Sequence, residues 1–260
     1  MNKFTLIILA IITIISCKDD DPNIVEIDNT PKFGTLNINF NNKVVGDLVT
    51  LNTGSYTNLS NETYTISELK YIISNIVLVK ENGDEFTYPV ANSYFLINEE
   101  VPSSKQVTLS NIDASIYTKI KFGVGVDQSN YPLNGVANFI PTAEESGMLW
   151  SWSAGYKFLK FEGSFTPQGG TTGDFLLHIG SHGEVLDNYK EVTLDLSSTL
   201  IIGDQTTSEL SINADVSKIF DSTNTYSLEQ KSDVQVDPVN APILAENIST
   251  MFTTINEIPN

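Results

Sequence analysis

The chain has 260 residues and a formal net charge of −18, from 32 acidic residues against 14 basic ones, all of them lysine. A surface of that sign repels DNA, RNA and anionic lipid, so nucleic-acid binding is excluded, while cations are attracted.

The chain opens on Lys3 and an apolar run, Leu6 to Ile15, broken only by Thr13. About ten apolar residues are too few to span a bilayer, which needs roughly twenty. They suit the apolar region of a signal peptide over residues 1–16. Ile15-Ser16-Cys17 resembles the lipobox of bacterial lipoproteins, which implies cleavage before Cys17 and lipid on that cysteine. Cys17 is also the only cysteine, so no disulfide can form within the chain and the fold rests on its core alone. Lys18-Asp19-Asp20-Asp21 resembles the signal that sends lipoproteins of the Bacteroidota to the outer face of the outer membrane; otherwise it simply solvates a tether. Residues 17–32, charged and carrying Pro22 and Pro31 without an apolar period, read as that tether, and 33–260 as one domain.

Period-two alternation dominates that domain. Phe33 to Phe40 alternates through Leu36, Ile38 and Phe40. Ser67 to Ile73 is ambiguous, since Ser67 suits the cap of a short helix with Leu69, Ile72 and Ile73 inward. Asn75 to Lys80 and Glu85 to Val90 flank Glu81-Asn82-Gly83-Asp84, a hairpin signal. Tyr94 to Ile97, Gln106 to Ile112 and Tyr117 to Val126 follow as short strands, then an aromatic segment from Trp152 to Phe165. Asp174 to Ile179, Glu191 to Leu196 and Ser208 to Ala214 complete the strands. Val216 to Phe220 suits one helical turn. Ala241 to Phe252 places Ile243, Leu244, Ile248 and Met251 at helical spacing. This pattern predicts an all-β protein, a single antiparallel β-sandwich or barrel-like domain with a short C-terminal helix.

Enzyme signatures are missing. There is no Gly-x-Ser-x-Gly, no phosphate loop and no His-Glu-x-x-His, so no catalytic residues are nominated and the protein is expected not to be an enzyme. The two histidines lie in Phe175-Leu176-Leu177-His178-Ile179-Gly180-Ser181-His182-Gly183. On a strand, Phe175, Leu177 and Ile179 share one face and His178 takes the other, either bonded to backbone or free to ligate. His182 falls in the glycine-rich loop that follows. Both tryptophans stand in Met148-Leu149-Trp150-Ser151-Trp152, where alternation puts Met148, Trp150 and Trp152 on one face, as a core stripe or as part of a site. Asp127-Gln128-Ser129-Asn130 is an oxygen-rich loop, an ordinary turn or a weak calcium candidate through Asp127 and Asn130.

Several of these segments come in a specific order: Tyr71-Ile72-Ile73-Ser74-Asn75-Ile76, then Phe122-Gly123-Val124-Gly125-Val126-Asp127, then Met148 through Gly163, then Phe175-Leu176-Leu177-His178-Ile179-Gly180. Asn213-Ala214-Asp215-Val216 and Ala245-Glu246-Asn247 close the series. That order resembles the MbnP family over roughly residues 35–252. The resemblance implies copper as the bound metal. It also implies histidine ligation, with His178 matching the family's His-Ile-Gly histidine. A tryptophan, Trp150 or Trp152, would be oxidised to kynurenine by a di-haem peroxidase-like partner. Imidazole suits both copper oxidation states and the Met148 thioether suits Cu(I), with His182 as the remaining imidazole. The expectation is a lipid-anchored, surface-exposed lipoprotein that binds copper for capture or delivery. The alternative is a carbohydrate- or protein-binding accessory of a TonB-dependent transporter, with Tyr131, Tyr156, Trp150 and Trp152 as a stacking surface.

Overall fold

The computed structural model describes residues 30–127, 137–150, 155–181 and 186–255. Among them the strands are β1 (Phe33–Val44), β2 (Asp47–Leu48), β3 (Tyr56–Thr57), β4 (Thr63–Lys80), β5 (Glu85–Thr87), β6 (Tyr94–Asn98), β7 (Gln106–Asp113) and β8 (Ser115–Val124), then β9 (Lys157–Thr166), β10 (Gly173–Gly180), β11 (Lys190–Ile202), β12 (Thr207–Asp215), β13 (Asp233–Val234) and β14 (Phe252–Thr254). Two helices, α1 (Ile140–Glu145) and α2 (Asn240–Ser249), accompany them.

Two mixed sheets result, packed as a sandwich. The larger runs β11-β8-β4-β9-β10-β13, with β3, β5 and β6 also on β4; the smaller runs β14-β12-β1, with β2 and β7 on the other side of β1. Most pairings are antiparallel, as alternation and short turns predict, but β1 pairs with β12 and β10 with β13 in parallel. The β1–β12 partners lie far apart in the chain, so no local turn signal announces them.

Alternation decides which face is buried. On β1, Leu36, Ile38 and Phe40 face inward, while Asn37 and Asn39 on the outer face donate to the Glu209 carboxylate at 2.7 and 2.9 Å. The inner faces of the two sheets meet in an aromatic-rich core. Phe252 of β14 reaches Phe122 of β8 edge-on at 5.1 Å and Phe40 at 6.5 Å. Tyr64, Phe161, Phe175 and Phe220 form a second cluster. The C-terminal helix α2 adds Leu244 and Ile248 to the core. It starts where Asp237 accepts from the Val239 and Asn240 amides at 2.9 and 2.8 Å. Val216–Ile219 is a single 3-10 turn capped by Asp215, as its sequence suggests.

The segment Ser67 to Ile73 is strand, not helix, because it lies in the middle of β4 with neighbours on both sides. Its apolar spacing mimics a helix because both faces are covered. Tyr71 and Ile73 point into the main core, and Ile72 into a satellite cluster on the opposite side of the sheet. That cluster comprises Ile72, Tyr94, Val126, Phe139, Ala143, Met148, Tyr156 and Phe158, with α1 supplying Ala143.

The β4–β5 hairpin turns at Gly83, whose φ is +91° with nothing within 4 Å of where a Cβ would stand. A side chain there meets backbone strain and no clash. Gly83→Ala is therefore expected to cost about 1 kcal/mol, measured as a lower urea midpoint with an unchanged slope.

Candidate functional site

The outer face of the larger sheet carries a row of polar side chains at one end of the satellite cluster. The β9–β10 register sets His178 opposite Lys160, and the β4–β9 register sets Lys160 opposite Lys70. One step along, Glu68 lies opposite Glu162. Because β9 alternates, Leu159 and Phe161 enter the core while Lys160 and Glu162 take the outer face. On β10 the same rule sends Phe175, Leu177 and Ile179 inward and leaves His178 outside.

These groups bond to one another. His178 Nε2 lies 2.7 Å from Glu162 Oε1. Lys160 Nζ lies 3.3 Å from Glu162 Oε1 and donates to both Glu68 oxygens at 2.9 and 3.0 Å, and Lys70 Nζ meets Glu68 at 2.5 Å. Burial favours the neutral imidazole and holds His178 below its ordinary pKa, with Glu162 opposing the shift. Burial also lowers Lys157, and Lys160 adds to that effect. For Lys160 itself, burial is overridden by Glu68 and Glu162, which hold the ammonium above its ordinary value. Glu68 is likewise kept below the usual carboxylate value by Lys70 and Lys160 despite burial.

A segment of chain lies against the His178 end of this row. Met148 and Trp150 belong to a segment pinned back on β9: Lys157 N–H donates to the Met148 carbonyl at 2.7 Å, and Trp150 N–H to the Gly155 carbonyl at 3.0 Å. Trp150 is buried, its ring centroid 6.2 Å from that of His178 at an interplanar angle of 56°. Lys157 Nζ stands 5.1 Å from the Trp150 ring and donates to the Gly147 carbonyl at 2.9 Å. Gly180, two residues past His178 and on the same face, makes room for the indole. A Cβ there would lie 3.2 Å from Trp150 Nε1 and 2.3 Å from the Tyr156 carbonyl oxygen.

The structure thus brings His178 and Trp150 together. Met148 is fully buried in the satellite cluster beside Phe139 and Tyr156. Asp127 lies beyond the end of β8. Cys17, Asn130, Tyr131, Trp152 and His182 lie outside the described residues. Glu162, Lys160, Lys157 and Glu68 escaped notice in the sequence. Their signal was Lys157-Phe158-Leu159-Lys160-Phe161-Glu162, which alternates, joined to β10 by one hairpin that lays Lys160 across from His178.

Toward a metal, His178 offers one feature that fits. Its Nδ1 is buried and has no hydrogen-bond partner among the described residues, while Nε2 is engaged by a carboxylate. A neutral imidazole arranged this way is a competent nitrogen ligand. Among the described residues no three His, Cys, Asp or Glu side chains gather into a metal cluster.

Among solved structures the fold is similar to MbnP from Methylosinus trichosporium, at 14% identity over 79% of this chain and 82% of that one, with a TM-score of 0.49. No curated protein matches. The family model described as MbnP matches residues 33–239, which takes in both sheets up to the approach to α2 and includes Trp150, Glu162 and His178. The chain belongs to the MbnP family.

Proposed function

We propose that this protein is a copper-binding lipoprotein, tethered through Cys17 to the outer membrane and displayed at the cell surface, where it captures copper or hands it on. The observation that carries the reading is His178: a buried imidazole next to the indole of Trp150, favoured in its neutral form, whose Nδ1 has no hydrogen-bond partner among the described residues. Imidazole nitrogen is a good donor for copper in both oxidation states. The acidic balance of the chain draws cations toward such a site. His182 and Trp152, close in sequence to His178 and Trp150, are the residues proposed to complete the coordination, and a di-haem peroxidase-like enzyme is the proposed partner that oxidises a tryptophan. Lys157 over the Trp150 ring bears on that step, because an ammonium facing an indole disfavours removal of an electron from it. Any such oxidation therefore calls for a strong oxidant, in keeping with a haem partner.

The test is copper titration of the soluble domain, residues 18–260, followed by native mass spectrometry. Wild-type protein is expected to retain one copper, and His178→Ala to lose it. Retention of the same copper by His178→Ala would overturn the assignment. Protein recovered from its own host carries a second expectation, a mass gain of about 4 Da for tryptophan converted to kynurenine by replacement of one carbon with one oxygen.

A further inference from the structure

The imidazole of His178 can carry its single neutral-state proton on either ring nitrogen, and only the other nitrogen can bind a metal. Two observations decide between them. Glu162 Oε1 lies 2.7 Å from Nε2, and a carboxylate only accepts, so the proton on that side belongs to Nε2. Nδ1, buried and without a partner among the described residues, has no acceptor to hold a proton there. We propose that Glu162 is a positioning residue: it accepts the Nε2–H of His178, fixes the tautomer and ring orientation, and leaves Nδ1 as the nitrogen that binds metal.

The surroundings of Glu162 support this role. Lys160 bridges it to Glu68, which in turn holds Lys70, so the carboxylate is braced from two strands, β9 and β4, and not free to swing away. The contact crosses diagonally between neighbouring strands: Glu162 stands opposite Leu176, and His178 opposite Lys160. A salt bridge alone would be met by Lys160 and Glu162, so the imidazole is an additional partner for this carboxylate. The arrangement also places the His178 ring so that Nε2 faces into the sheet's polar row and is unavailable to a ligand.

This rests on the copper reading only for the identity of the metal; the tautomer is readable without any metal. The experiment is a long-range 15N–1H correlation spectrum of the metal-free domain, residues 18–260, at pH 8, with His182→Gln to leave one imidazole. The proposal expects the proton on Nε2 and a bare Nδ1. A proton on Nδ1 overturns it. Copper titration of Glu162→Gln and Glu162→Leu then supplies the second readout. Glutamine keeps an oxygen that accepts from Nε2–H and should retain the tautomer with a modest loss. Leucine removes the acceptor and should weaken copper binding by about 10–100-fold, the usual effect of losing a partner behind a ligating histidine. Equal copper affinity for wild type and both variants overturns the positioning role. If wild-type protein takes up no copper, the proposed function fails by itself, and the spectrum still decides whether Glu162 sets the tautomer.

Discussion

Replacing Glu62 with glutamine is expected to remove about 3–5 kcal/mol of folding stability at pH 7. Glu62 is 1% exposed, just ahead of β4. Its carboxylate takes four hydrogen bonds. Oε2 accepts from Asn58 Nδ2 at 2.6 Å and the Leu228 amide at 2.9 Å, and Oε1 from Ser227 Oγ at 2.8 Å and the Glu229 amide at 2.7 Å. Two stretches of chain distant in sequence are thereby fastened together through one anion. Glutamine has the same shape, but one of its ends becomes an NH₂ group: on the Oε2 side it would meet two N–H donors, and on the Oε1 side the Glu229 N–H, with only the Ser227 hydroxyl able to turn and accept. At least one hydrogen bond to a charged group is lost, worth about 1.5–3 kcal/mol, and the buried N–H left without an acceptor costs about 1–3 kcal/mol more. Burial alone would raise the Glu62 pKa, yet the bonds from Asn58, Glu229, Leu228 and Ser227 together hold it below its ordinary 4.5. A carboxyl depressed in the folded state stabilises fully above its unfolded value, and that contribution fades as pH falls through the folded value. Urea unfolding should therefore show the full gap between wild type and Glu62→Gln at pH 7, narrowing steadily below about pH 4.5. A gap of the same size at pH 7 and pH 3 would show that shape, not charge, holds this junction.

Which parts of this architecture could be foreseen follows from how local their causes are. The hairpin at Gly83 was legible because Asn-Gly between alternating runs is a strong short-range hairpin signal. The helix α2 was legible from apolar residues at helical spacing, and β1 from its clean alternation. The middle of β4 misled because it is covered on both sides, so its apolar residues lose the period that marks a half-exposed strand. The short helix α1 was missed; it spans only Ile140–Glu145, with Pro141 in its first turn, too little to show a period. The parallel pairing of β1 with β12 has no local signal at all. For the site, rarity and resemblance pointed to His178 and Trp150. Glu162 and Lys160 were hidden for a different reason: acidic and basic residues are plentiful on this chain, and only the register of β9 against β10 singles these two out. Met148 shares a stretch of chain with Trp150, yet the structure uses its side chain as packing beside Phe139 and Tyr156.

The His-Ile-Gly element gains a physical meaning from the same register, and Gly180→Ala tests it. A methyl group at residue 180 would stand 2.3 Å from the Tyr156 carbonyl oxygen and 3.3 Å from the Lys157 Cα, so backbone and not a side-chain tip must yield. It would also press on Trp150 Nε1 at 3.2 Å. The segment carrying Trp150 hangs on β9 by bonds next to this point, Trp150 N–H to the Gly155 carbonyl and Lys157 N–H to the Met148 carbonyl. Displacing it lifts the indole from His178. The expected loss of stability is about 1–3 kcal/mol, typical of overpacking a filled site. A larger effect is expected on the indole itself: with Trp152→Phe as background, so that Trp150 is the only tryptophan, its emission should move to longer wavelength as water reaches the ring. Copper binding should weaken with it if His178 is the ligand. Gly173→Ala, at the other end of β10, supplies the control, because a Cβ there meets only the Phe165 ring at 3.5 Å, an ordinary contact. Should Gly180→Ala match the control in emission and melting, the glycine is not what seats the tryptophan, and the closeness of Trp150 to His178 rests on other contacts, the Lys157 ammonium and the backbone bonds among them.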